Sequence, residues 1–75
     1  MTRLPRLSGE EIIKALERMG FEQVRQKGSH VILKKVTPEG AVGCVVPMHK
    51  EVALGTLRSV LRQAHLTPEE FEIYV

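Results

Sequence analysis

Apolar residues change their period along this chain, and each change marks an element. After Ser8, the residues Ile12, Ile13, Leu16 and Met19 recur at helical spacing and form one apolar stripe. Ser8 and Glu11 make a capping box, in which each side chain satisfies the other residue's free backbone N–H. Glu10 and Glu11 suit the positive end of a helix and Arg18 the negative end. Gly20 supplies a left-handed stop. The pattern predicts a helix over residues 9–19.

Beyond Gly20 the helical period is lost. "FEQVRQ", "HVILKKV" and "AVGCVVP" are short runs separated by turn chemistry, Lys27-Gly28-Ser29 first and Thr37-Pro38-Glu39-Gly40 second. They read as three strands of an antiparallel meander. Pro47 ends it, because it has no N–H to give a further ladder. Period two sorts the middle strand: Val31 and Leu33 point to the core, while His30, Ile32 and Lys34 share the opposite face.

Helical spacing returns in "LGTLRSVLRQAHL", where Leu54, Leu57, Val60, Leu61 and Ala64 fall on one face. Thr67, Pro68 and Glu70 then repeat the helix-start signature, with Phe71 and Tyr74 placed to pack back. The expected class is α+β, as a single domain over 1–75. Its order is α-β-β-β-α plus a terminal turn, with two helices on one face of a three-stranded antiparallel sheet. That order, with a basic loop, also matches the double-stranded-RNA-binding fold.

Length limits what such a chain can carry. At 75 residues, folding buries only about 60–65% of the extended chain's surface, so a large enzyme with a deep cleft is excluded. A surface site completed by substrate or partner remains. The single cysteine, Cys44, can form neither an internal disulfide nor a zinc site and reads as a small buried hydrophobe. No signal-peptide pattern and no apolar run near eighteen residues is present, which points to a soluble cytoplasmic protein without a membrane anchor.

The formal net charge is only +2, but it is unevenly spread. Arg25, Lys27, Lys34 and Lys35 flank His30 with no acid between Gln23 and Pro38, whereas Glu69, Glu70 and Glu72 make the chain's end acidic. A basic hairpin suits phosphates or an acidic partner. It equally suits a lysine-rich edge that discourages aggregation.

His30 is the residue with chemistry to offer. Cleaving an RNA phosphodiester needs a base for the 2′-hydroxyl, an acid for the leaving oxygen and positive charge for the developing phosphorane. An imidazole serves either proton transfer near neutrality, and lysines supply the charge. Gly28 lets a ligand approach the backbone, and Ser29 offers a hydroxyl beside the histidine. A histidine after Gly-Ser at a hairpin serves just as well as a turn residue or a phosphate contact. His49 reads as a second proton carrier or a cap near the second long helix, and His65 as a favourable charge at that helix's C-terminus. The histidines lie 19 and 16 residues apart without a carboxylate pattern, so no metal site is expected. A Ser-His-Asp triad is excluded for want of any Asp. Binding of RNA by shape and phosphates, without catalysis, stays open beside cleavage.

"SGEEIIKALERMGFEQVRQKGSHVILKK" followed by "VVPMHKEVALGTLRSVLRQAHLTPEEF" resembles the HicA family of toxins from type II toxin–antitoxin systems. The likeness runs from about Leu7 to Phe71. It rests on the helix ending in Gly-Phe, the Gly-Ser-His step, the Pro-x-His and the Gly-Thr-Leu-Arg-x-x-Leu helix, in family order. It implies a double-stranded-RNA-binding-like fold, a ribosome-independent mRNA interferase that needs no cofactor, and a HicB-type antitoxin as partner. The resemblance carries the catalytic role to His30, with Gly28 and Ser29 as the supporting turn. Lys27, Lys34, Lys35, His49, Lys50 and Arg58 are then the expected RNA or phosphate contacts. The chain departs from the family at Met48, where many relatives have Arg, which shifts RNA contact onto Lys50 or Arg58. It departs again at Leu54, where relatives often have Pro.

Overall fold

In the computed structural model, which describes residues 4–75, the predicted order appears: α1 (Gly9–Arg18), β1 (Glu22–Lys27), β2 (His30–Thr37), β3 (Gly40–Pro47), α2 (Leu54–Gln63) and α3 (Pro68–Glu72). Residues 1–3 of the expected domain span lie outside the described residues. The capping box is formed at α1: the Ser8 hydroxyl accepts the Glu11 N–H at 3.1 Å, and the Glu11 carboxylate accepts the Ser8 N–H at 2.9 Å. Ile12, Ile13, Ala15 and Leu16 are buried. The regular helix ends at Arg18, one residue short of the expected end, with Met19 as a half-buried cap. Gly20, at φ 101, reverses the chain so that the Phe21 N–H bonds the Leu16 carbonyl and the ring turns inward.

The sheet is an antiparallel meander in the order β1-β2-β3. Gly28, at φ 60, occupies the first central position of the two-residue turn that pairs Lys27 with His30. A negative φ at Ser29 makes this the II′ pattern, whose twist matches that of the flanking strands. Pro38-Glu39 closes the second hairpin by pairing Thr37 with Gly40. A bulge between Gln23 and Arg25 shifts the β1 register.

One face of the sheet forms the core. Val31, Leu33, Cys44 and Val46 are buried there against Leu7, Ile12, Leu16, Phe21, Val52, Leu57, Val60, Leu61, Ala64 and Phe71. Each such large side chain contributes about 1.5–3 kcal/mol by leaving water. Both long helices lie on this face, so the opposite face carries no helix.

Three local expectations are corrected. Leu54 is 39% exposed, and the buried face of α2 starts at Leu57, because the first turn of α2 runs past the edge of the core. The N-cap of α2 is Ala53, without a side-chain hydrogen bond, so His49 is no cap for it. His65 stands at the C-terminal end of α2, as expected, at φ 57, the left-handed position that more often holds glycine, and its N–H bonds the Arg62 carbonyl there. Phe71 is fully buried as expected, but Tyr74 remains 39% exposed.

Candidate active site

Strand pairing sets His30 among cations. Lys27, His30 and Pro47 lie opposite one another in the first row of the sheet. Arg25, Ile32 and Val45 make the next row on that face, and Glu22, Lys34 and Gly43 the one after. Side chains directly opposite have Cβ atoms about 4.5–5.5 Å apart, so Lys27 is the nearest cross-strand cation to His30. Val31 and Leu33 are buried and His30 and Lys34 exposed, which confirms the alternation expected for β2. No hydrogen bond from within the chain holds the His30 ring among the described residues. No carboxylate stands in its row or in the next; Glu22 enters only opposite Lys34.

The turn before His30 is fixed from two sides. Gln26 Nε2 donates to the Gly28 carbonyl at 3.1 Å. The Met48 N–H donates to the Ser29 carbonyl at 2.6 Å, tying the segment after β3 to the turn. That segment is held in its turn by α1: the Gly9 N–H donates to the His49 carbonyl at 2.9 Å. A Cβ on Gly9 would stand 2.1 Å from the Pro47 oxygen, so only glycine lets the helix start press this closely. A Leu7–Val52 bridge and the Arg6–Glu51 ion pair at 2.7 Å continue the contact outward. Residues 47–49 thus form a strap between the first turn of α1 and the Gly28-Ser29 turn. His49 and Lys50 are exposed at its end, on the same rim of the sheet as His30.

Two of the expected phosphate contacts lie elsewhere. Lys35 has the opposite parity to Lys34 and turns to the helix side, where its Nζ stands 5.9 Å from the Phe21 ring centroid. It also crowds Gly20 and helps hold the Glu70 carboxyl below its usual range, an effect led by hydrogen bonds from Thr67. Arg58 is exposed on α2 and lines a cleft with Leu61, Arg62, Leu66 and Pro68, away from the His30 rows. Arg25, which belongs to the basic run but not to the expected contacts, stands in the row next to His30. The signal was available, since a two-residue turn pairs Lys27 with His30 and parity then brings Arg25 to the same face.

Cys44 is buried, and burial pushes its thiol up to about 11, which removes it as a nucleophile near neutrality. Among the described residues, no three of His, Cys, Asp and Glu come together to hold a metal ion. None of the described helices is long and apolar enough to cross a membrane.

The site is therefore an exposed imidazole on a cationic sheet face, held by a glycine turn and a backbone strap. Such an arrangement can bind phosphates and exchange protons with them. Comparison with curated proteins one by one gave no match. A family model described as the HicA toxin of bacterial toxin–antitoxin matches residues 9–66. The matched span begins at the glycine that seats the strap and ends after α2.

Proposed function

Since the chain belongs to the HicA toxin family and is thereby a toxin of a toxin–antitoxin system, we propose that it is a metal-independent endoribonuclease that cleaves mRNA and so stops translation. His30 is the acid–base residue of this reading. The observation that carries it is the row Lys27–His30, an exposed imidazole directly across the strand pair from a cation. In the cleavage step the 2′-oxygen bonds to phosphorus while the bond to the 5′-oxygen breaks. The proton of the 2′-hydroxyl passes to a base, and the leaving 5′-oxygen takes one from an acid; His30 acts in one of these transfers. Lys27 and Lys34 bind phosphate, and Lys27 offsets charge on the phosphorane. Gly28 and Ser29 form the supporting turn, and His49 and Lys50 extend the contact along the rim. A HicB-type antitoxin is the proposed partner, neutralising the toxin by covering this face.

A second reading has its own support. The His30 ring lacks an orienting partner within the chain, as would suit a face that only binds RNA or the antitoxin. One experiment separates the two. Labelled mRNA is incubated in EDTA with wild type and with His30→Ala, and binding is followed in parallel. Cleavage by wild type, with binding but no cleavage by the variant, is the expected result. Equal binding with no cleavage by either protein would establish a binding domain or an inactive toxin instead.

A further inference from the structure

The open face of the sheet has an order that the catalytic reading does not use. Along β2, starting at His30, rows alternate between charge and apolar surface. Lys27 and His30 come first, then Ile32 and Val45 flanked by Arg25, then Lys34 opposite Glu22, then Val36. Ile32 is half-buried, Val45 is 37% exposed and Val36 is 84% exposed, although no helix covers them. A strip of β-branched side chains left in water on a basic sheet face suits an occupant that offers negative charge and flat apolar surface together.

From this we infer that the open face is a track for single-stranded RNA, laid along β2 from the cleavage point at His30 toward Lys34. Arg25 and Lys34 hold successive phosphates, and bases lie against Ile32 and Val45. The inference rests on the proposed nuclease reading for the identity of the polymer. Rows on one face are two residues apart, about 6.6 Å along a strand, which suits the phosphate step of an extended single strand. A duplex would present its phosphates but keep its bases stacked inside, leaving the valine–isoleucine strip unused. Base contact here is aliphatic, since no aromatic residue stands on this face. The rows carry no Asn, Gln or Ser, and their cations are assigned to phosphates, so contact with the bases falls to the aliphatic strip. An acidic polypeptide also meets the charge requirement. The phosphate-like repeat of Lys27, Arg25 and Lys34 favours the nucleic acid.

The test uses His30→Ala as the parent, so that RNA stays intact, and measures fluorescence anisotropy of labelled oligoribonucleotides of mixed sequence. Arg25→Ala and Lys34→Ala should each weaken binding roughly three- to tenfold at moderate salt and reduce the salt slope by about 0.7. Ile32→Ala should weaken binding while leaving the salt slope unchanged. Lys35→Ala and Arg58→Ala, which alter equal charge off the face, should bind like the parent. A duplex of the same length should bind less tightly than the single strand. The track is overturned if Lys35→Ala or Arg58→Ala loses as much as Arg25→Ala and Lys34→Ala, or if the duplex binds better. Binding of polyglutamate but not of RNA overturns it in favour of a protein partner. The two proposals fail separately. Cleavage that persists unaltered in Arg25→Ala and Lys34→Ala on an active background sinks the track, and Lys34 as a phosphate contact with it, but leaves cleavage through His30 standing. RNA binding that follows the expected pattern in a protein that never cuts sinks the nuclease reading alone.

Discussion

At Gly9 a single added methyl group would meet the Pro47 carbonyl oxygen at 2.1 Å and the Met48 Cα at 2.9 Å. Both are backbone atoms, so relief requires that α1 or the strap move. Gly9→Ala should therefore cost about 1–3 kcal/mol, read from urea denaturation, and should slow cleavage through the displaced Ser29 turn. Gly55 provides the opposite case, since nothing lies within 4 Å of its Cβ position inside α2. Gly55→Ala should stabilise the protein by about 0.5–1 kcal/mol. Equal effects of the two substitutions would refute the role given to the strap. Cys44 supplies a pH test. Its thiol is raised from an ordinary 9.0 to about 11 by burial. Below the lower value it is protonated in both states, so the full stability is present. As pH rises through that window the thiol ionises only in the unfolded chain, and stability falls. Relative to Cys44→Ala, wild type should lose on the order of 2 kcal/mol across the window, measurable by denaturation at stepped pH.

Elements were legible wherever one short pattern decided them. Ser8 with Glu11 and Thr67 with Glu70 each form the reciprocal cap that their spacing announces. Gly28-Ser29 sets the register of the first hairpin. What single-strand parity does not contain is the bulge at Gln23–Arg25, which puts Gln23 opposite core-facing Leu33 and Glu22 opposite Lys34. Parity separates Lys34 from Lys35, so the two cannot share one phosphate-binding face. The strap was hidden for another reason. It depends on a backbone approach between Gly9 and Pro47, far apart in sequence, and no local pattern encodes such a contact. The outer edge of β3 was equally invisible. There the Val45 N–H donates to Gln63 Oε1 at 3.0 Å, so a side chain of α2 plugs an edge-strand donor. Unplugged edges invite pairing with another chain. Gln63→Ala should make the protein associate with rising concentration, seen by sedimentation. A strictly monomeric variant would show that the plug has no such role.

Across the whole molecule, the open sheet face carries an excess of positive charge and α3 an excess of negative. Arg25, Lys27, His30 and Lys34 occupy the open sheet face, while Glu69, Glu70 and Glu72 belong to α3, which packs against α2 on the helix side. The shortest dimension of the molecule is 18 Å. That is about twice the screening length of roughly 8 Å at physiological ionic strength, and well inside the roughly 30 Å found near 0.01 M salt. The acids of α3 should therefore repel an approaching polyanion only when salt is low, whereas contacts on the face act at both ionic strengths. Glu70 is tied into the cap through Thr67 and is best left in place. Combining Glu69→Gln with Glu72→Gln on the His30→Ala background should speed RNA association a few-fold near 0.01 M salt and leave it unchanged near 0.15 M. Lys34→Ala should slow association and weaken binding at both. Stopped-flow fluorescence with a labelled oligoribonucleotide reads both effects. If the glutamine pair were to act equally at high salt, RNA would have to approach the helix side directly, and the polarity argued for this toxin would be reversed.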